Sequence, residues 1–297
     1  MRRGKFKLDF VGIGAEKAGT TWIADCLREH PEVEIPKVKE IFFFNDYDPH
    51  FLSIKNYRYA RGLSWYARQF NNNKNDKKIG EISPTYLYSR VAAERIKKDF
   101  PQVKIIIVLR EPVSRAFSQY IHDKRLGVIK DITFDEAIRM YRNYLEKGYY
   151  SKHLKNYIEL FGRQNILVLV HEDLLSRSKE SLKSLYSFLE LKDIKFIPAN
   201  LNKKKNVAGK ARYSLLNYTM MQLDYYLREK NMVYLLKLID SLGIRRLAIY
   251  IRNINSAKLS GYPKMEKETE KYLKTVYNPE IKKLEKMLNK DLRKWRN

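Results

Sequence analysis

Two rhythms of apolar residues run through the first two-thirds of the chain. Short continuous apolar runs alternate with longer stretches whose apolar positions recur three and four residues apart. Leu8 to Ile13 is the first run and has the form of a strand buried on both faces. Gly14 to Gly19 reads as a loop, and Thr20 or Thr21 opens a helix, as hydroxyl residues often do. Trp22, Ile23, Cys26 and Leu27 share one face of that helix. His30-Pro31 ends it, because proline disfavours helical geometry in the residue before it. Lys78 to Ile82 is a short strand stopped by Ser83-Pro84, and Arg90 to Phe100 is a helix. Val103 to Leu109 is apolar throughout except Lys104, as a central strand should be. Pro112 stands in the first turn of the next helix, whose buried stripe is Val113, Ala116, Phe117, Tyr120 and Ile121. Ser114 and Ser118 lie one turn apart on another face. Ser151 to Phe161 is an amphipathic helix closed by Gly162, and Asn165 to Val170 is a strand. A helix carrying Leu182, Leu185, Tyr186 and Leu189 on one side follows it.

Alternating strands and helices specify an α/β fold: a P-loop-like parallel sheet flanked by helices, with ligands at the strands' carboxyl ends. Residues 192–212 read as a basic loop, and from Tyr213 onward the chain reads as all-helical and lysine-rich. The expected organisation is one domain over residues 1–297, with an α/β core over about 7–212 and a helical C-terminal extension over about 213–297. Phe42 to Phe44 should anchor their segment in the core and hold Lys39 and Glu40 at its edge. Trp65 and Tyr66 are expected on a helix.

Charge narrows the partners. The formal net charge is +25, from 59 Lys and Arg against 34 Asp and Glu, which favours anionic ligands: nucleotides, acidic glycans, nucleic acid or anionic lipid. A lysine-rich composition spread over solvated faces is an equally good account of the total. Cys26 is the one cysteine, so an intrachain disulfide and a cysteine metal cluster are both excluded, and it falls on an apolar helix face. No His, Cys or carboxylate cluster has metal-ligand spacing, and no metal is expected. No apolar run approaches the length of a signal peptide or membrane span, so the expectation is a cytoplasmic chain with no membrane span.

The loop from Gly14 to Gly19 carries the chemistry. A strand-loop-helix turn aims free backbone N–H groups and the positive end of the helix dipole at one point, and so binds anions. Gly14 and Gly19 let the backbone come close to a ligand, Lys17 adds a charge, and Thr20 and Thr21 add hydroxyl donors. The two glycines have the spacing of the ATP-binding P-loop, but Thr20 sits where that motif has its lysine, which has moved back to Lys17. A tight turn with no ligand is the plain alternative.

Two stretches, GIGAEKAGTTW after the first strand and IIIVLREPVSRAFSQY after the central one, together resemble the sulfotransferases that use 3′-phosphoadenosine 5′-phosphosulfate (PAPS). KEIFFFN, GEISPTY, GYYSKHL, LVHEDL and NVAGKARYS extend the resemblance over most of residues 8–215, closest to the glycan and bacterial enzymes. The resemblance implies that Lys17, Ala18, Gly19, Thr20 and Thr21 bind the 5′-phosphosulfate and that Arg110 and Ser118 bind the 3′-phosphate. An arginine fork suits a phosphate, and an ion pair with Glu111 is its plain alternative. Trp22 matches an aromatic placed against adenine as well as it suits the core. Lys210 and Arg212 match a late basic loop closing over the donor. Glu40 matches the family's general base, an ion pair with Lys37 or Lys39 being its plain alternative, and Lys17 would stabilise the leaving phosphate. Lys39 and Ser83 fall beside the acceptor. PAPS is then the co-substrate and PAP, its desulfated form, the product. The acceptor is a polar or acidic small molecule or glycan, with no specific nucleic acid involved.

Residues 45–75, 123–150 and the C-terminal helices are the variable segments expected to shape the acceptor pocket. His171 stands where some members carry a tyrosine near adenine, and Glu172 and Asp173 are expected to cap the next helix. The family's Glu-Lys-Ser/Thr-Pro is here Glu81-Ile82-Ser83-Pro84, so Ile82 replaces a lysine near the reaction centre. Either Lys39 substitutes for it or the acceptor differs, which argues against heparan-type chains. A P-loop kinase or other NTPase and a basic nucleic-acid binder are the competing classes. Magnesium-dependent ATP turnover would mark the first, and steeply salt-dependent DNA or RNA binding the second.

Overall fold

Five strands form one parallel sheet in the order β2-β3-β1-β4-β5 in the computed structural model. The structure describes residues 6–36, 39–48, 55–70, 77–126, 128–129, 132–201, 209–211, 214–229, 232–244, 247, 250–251, 256–258 and 264–296. The strands are β1 (Phe10–Gly14), β2 (Val33–Glu34), β3 (Lys78–Ile82), β4 (Lys104–Leu109) and β5 (Ile166–Val170). Among them run α1 (Thr20–Glu29), α2 (Gly62–Ala67), α3 (Arg90–Asp99), α4 (Pro112–Leu126), α5 (Phe134–Met140), α6 (Asn143–Glu146), α7 (Tyr150–Phe161), α8 (His171–Ser176) and α9 (Ser178–Leu189). The expected strands and helices are present, with ends shifted by a residue or two as fraying ends do.

Contacts divide the chain into two compact units. The first comprises Met1–Arg115, Tyr149–Lys205 and Asn278–Asn297 and contains the sheet. Its β4 pairs with β1 on one side and β5 on the other, with Ile105 opposite Val11 and Ile166. Ile105 to Leu109 are at most 1% exposed, and burying each such side chain contributes about 1.5–3 kcal/mol. That burial is why the most continuous apolar run became the strand paired on both edges. Helix ends follow local rules. The Ser89 hydroxyl caps α3 by accepting the Ala92 N–H at 3.0 Å, and Gly162, at φ 76°, closes α7 by donating to the Ile158 carbonyl at 2.9 Å. Cys26 is buried in the α1 face as expected, with Ile23, Ala24 and Leu27. Trp22 departs from that stripe: it is half-buried and donates its indole N–H to the Leu201 carbonyl at 3.2 Å. It sits in the first turn of α1, beyond the apolar layer over the sheet.

The second unit comprises Ala116–Gly148 and Asn206–Tyr277. It contains α5, α6, β6 (Gly209–Ala211), α10 (Ser214–Glu229), α11 (Val233–Ser241) and β7 (Ser256–Lys258). Two of the four boundaries fall within helices, α4 and α12 (Lys267–Leu288). β6 and β7 pair antiparallel, Lys210 opposite Ala257, so the C-terminal part is mainly but not wholly helical. A Ser-Ala-Lys strand has no apolar alternation of its own, and only its distant partner makes it a strand. A Thr133–Glu136 capping box starts α5, and Phe117, Tyr120 and Phe134 pack into one aromatic group. Ile121, expected in the stripe of α4, is half-buried. Fully buried Arg115, in the first unit's part of α4, is a placement apolar periodicity could not foresee.

Candidate functional site

Sheet order decides the site. The carboxyl ends of β3, β1 and β4 lie side by side in the first unit, and each delivers a different chemical group. β1 ends at Gly14 and α1 starts at Thr20, so residues 15–19 form the turn between them. The Ala15 N–H donates to the Val108 carbonyl at 2.7 Å and fastens the turn to β4. Lys17 (φ 64°) and Gly19 (φ 93°) both take left-handed backbone. Gly19, not a threonine, occupies the N-cap position, so Thr20 is the first helical residue rather than the cap. The glycines answer first to protein neighbours. A Cβ on Gly14 would come 2.7 Å from Leu87, and one on Gly19 would come 3.0 Å from His171 Nδ1.

Both loop carbonyls are held from behind. Arg110 Nη1 donates to the Lys17 carbonyl at 3.0 Å, and His171 Nδ1 lies 3.0 Å from the Ala18 carbonyl. A carbonyl only accepts, so Nδ1 carries the proton. Burial, with the Arg110 charge added, pulls the His171 pKa down to about 4, so the ring is neutral near pH 7. With the carbonyls bound, the loop is left to offer the N–H groups that open α1, together with the Lys17 charge, to an anion. Arg110 directly follows β4, and among the described residues no ion pair joins it to Glu111. Glu111 instead accepts the N–H groups of Val113 (2.8 Å) and Ser114 (2.6 Å) and so caps α4. Glu172 and Asp173 do not cap α8. Glu172 accepts the Glu111 N–H (3.2 Å) and the Trp295 indole N–H (3.3 Å), and Asp173 pairs with Arg177 (2.8 Å).

Beside the loop, β3 holds the segment that carries Lys39 and Glu40. Phe42 to Phe44 are buried as expected, and Lys39 and Glu40 are half-buried at their edge. Glu40 (φ 68°) and Phe42 (φ 54°) are left-handed, a costly state for residues with a Cβ that persists where surrounding structure imposes it. Lys39 Nζ pairs with Glu40 Oε1 at 2.5 Å. The ion pair named as the plain alternative for Glu40 is thus present, although a carboxylate with one partner keeps lone pairs for a proton. Ser83 is buried and accepts the Phe42 N–H at 3.3 Å. Ile82 is buried in the space beside Gly12, where a Cβ would meet it at 2.7 Å, and it brings no polar group to the loop. Glu81, which opens the Glu81-Ile82-Ser83-Pro84 run, is a fully buried carboxylate under this segment, a role the run alone did not disclose. Its signal was a charged residue inside an otherwise apolar strand end.

The first unit therefore gathers Lys17, Ala18, Gly19, Thr20, Thr21, Trp22, Lys39, Glu40, Ser83 and Arg110. Ser118 lies on α4 in the second unit and Lys210 on β6 of that unit, while Arg212 and Lys37 fall outside the described residues. A cavity of about 510 Å³ opens at the strands' amino ends, where Glu190 pairs with Lys78 (3.5 Å) and Lys104 (2.8 Å). Among the described residues there is no group of His, Cys, Asp and Glu able to hold a metal ion, and no helix is long and apolar enough to cross a membrane.

The sulfotransferase domain family model matches residues 8–223, and the chain belongs to that family. It is 36% identical over 115 residues to the membrane-associated sulfotransferase kil1 of Dictyostelium discoideum, covering 38% of this chain and 22% of that protein. It is 30% identical over 190 residues to human heparan sulfate glucosamine 3-O-sulfotransferase 3B1, covering 61% of this chain and 46% of the relative. The chain thus spans less than half the length of these relatives. A solved sulfotransferase from Alicyclobacillus acidocaldarius shares the fold, with a TM-score of 0.69 at 22% identity over 98% of this chain and all of that one.

Proposed function

We propose that the chain transfers the sulfuryl group of PAPS to a hydroxyl, less often an amine, of a carbohydrate or glycosylated metabolite. The observation that carries the reading is the Arg110 bond to the Lys17 carbonyl, which joins the β4 end to the β1 loop in one anion-binding corner. Lys17, Ala18, Gly19, Thr20 and Thr21 hold the 5′-phosphosulfate. Arg110 takes the 3′-phosphate, and Trp22 lies against the base. The acceptor oxygen attacks sulfur in line as the sulfur–oxygen bond to the 5′-phosphate breaks. Its proton passes to Glu40, and the electron pair leaves with the phosphate, where Lys17 offsets the developing charge. Lys39 faces the acceptor, whereas Ser83, expected beside it, is buried with its hydroxyl bonded to Glu81 and to the Phe42 N–H and so lies behind the segment. No resident metal is part of the scheme.

A glycan acceptor is favoured by the name of the human relative. Buried Ile82, in place of the family's lysine, speaks for a different acceptor position or sugar from the heparan enzymes. The single-domain reading of residues 1–297 belongs to the same proposal. A cytoplasmic setting does too, with Cys26 as the lone cysteine in its favour. Recovery with membranes on cell fractionation would overturn that setting and match the name of the Dictyostelium relative. The test of function is calorimetric binding of PAP followed by an acceptor screen with labelled PAPS read by mass spectrometry. PAP affinity far above that for AMP, together with a labelled sulfated product, is expected. ATP turnover with indifference to PAP would overturn the proposal. Glu40→Gln should keep PAP binding and lower turnover about 10²- to 10⁴-fold, the usual worth of a positioned base.

A further inference from the structure

We infer that Glu81 is the positioning residue of the catalytic segment: its buried carboxylate sets the backbone of residues 40–44 and so the presentation of Glu40. The inference rests on the assignment of Glu40 as base. Glu81 is 1% exposed. Its Oε1 accepts the hydroxyls of Tyr66 (2.8 Å) and Tyr86 (3.0 Å), and its Oε2 accepts that of Ser83 (2.8 Å). The Ile41 N–H, directly after Glu40, also donates to it.

A hydroxyl has one proton. Ser83 and Tyr86 give theirs to Glu81, which turns their lone pairs outward. Those lone pairs accept the N–H of Phe42 (3.3 Å) and of Phe44 (3.4 Å). The carbonyls are taken from the other side. Arg58 binds that of Ile41 (2.6 Å), Asn56 that of Phe42 (2.6 Å) and Arg95 that of Phe44 (3.0 Å). Both polar backbone groups of Ile41, Phe42 and Phe44 are therefore occupied, around the left-handed Glu40 and Phe42. The arrangement needs an acceptor-only carboxylate at its centre. A protonated acid or an amide puts a donor against one hydroxyl. Where that hydroxyl is Ser83's or Tyr86's, it must swing its proton toward an N–H that is itself a donor, and one amide of the segment loses its acceptor. The groups facing Glu81 are Tyr66 from α2, Ser83 and Tyr86 after β3, and the Ile41 N–H. The Lys39–Glu40 pair and Arg58 are the charges on the segment side. Burial of the carboxylate, opposed by the three hydroxyls, pushes Glu81 up to about 7, so its ionised form becomes the majority only above that pH. Tyr66 and Tyr86 are pushed well above their ordinary value by burial and by Glu81, and remain donors.

The test is amide hydrogen exchange on the full chain, with PAP binding and PAP release from PAPS, for Glu81→Gln, Tyr86→Phe and Glu40→Gln. Glu81→Gln is expected to speed exchange at Ile41, Phe42 and Phe44 about tenfold or more while the β4 amides keep their protection. PAP affinity should hold and PAP release should fall. Should Glu81→Gln fail to fold, Tyr86→Phe serves, with the loss confined to Phe44. Unchanged exchange at the three amides would overturn the inference, and so would faster exchange spread equally into β4. Full turnover by Glu40→Gln would sink the base assignment instead. Faster exchange at the three amides in Glu81→Gln would then still show the carboxylate holding the segment.

Discussion

Single residues in this unit are tuned by what surrounds them, and two titrations show it with opposite signs. His171 is held at about 4, below an ordinary histidine near 6.5. The unfolded chain then binds its proton more readily, so the stability His171 contributes is present above pH 6.5 and lost as pH falls toward 4. Glu81 is held at about 7, above its unfolded value of 4.5. Its contribution is present below pH 4.5 and lost as pH rises through 7. Melting temperature against pH should therefore lose part of its acid-side fall in His171→Gln and part of its decline toward pH 7 in Glu81→Gln. Curves that superimpose on the parent would contradict both shifts. Arg110→Ala should weaken PAP far more than adenosine 5′-phosphosulfate, by roughly tenfold for each charge-assisted bond lost. Equal weakening in calorimetry would remove the 3′-phosphate assignment. Lys17 and Glu40 sit on recognisable patterns. Glu81 also falls in one, but its buried role, like the Glu111 cap of α4 and the burial of Arg115, is legible only once the partners are known.

At the scale of elements, short-range rules explain most of the boundaries. β4 was legible because five successive apolar residues admit few other placements, and Ile106→Ala should cost about 2–5 kcal/mol in urea unfolding. The β1-to-α1 turn was legible in its residues but not in its backbone. Which position would be left-handed, and that Gly19 rather than Thr20 would hold the cap, depended on Arg110 and His171 pulling on the Lys17 and Ala18 carbonyls. Gly19→Ala, forcing a Cβ into φ 93°, should destabilise the chain by about 1–2 kcal/mol and reduce PAP binding, measured by denaturation and calorimetry. β7 escaped the sequence for the reason all weakly apolar strands do: its partner is far along the chain.

For the whole molecule, a net charge of +25 and a doubly phosphorylated donor predict an affinity that salt erodes. PAP binding should weaken several-fold between low and physiological ionic strength, and a flat salt response would place the charge away from the donor. The family follows from a match over residues 8–223, most of which the motifs had already marked.

The order of elements, the strand buried on both edges, the anion-binding turn and the family were written in local pattern, because burial periodicity and loop chemistry act over a few residues. The sheet order that brings β3, β1 and β4 together was not, nor the left-handed backbone of Glu40 and Phe42, nor the carboxylate beneath them. These arise from bonds between groups far apart in the chain, and only the folded arrangement brings those groups within reach of one another.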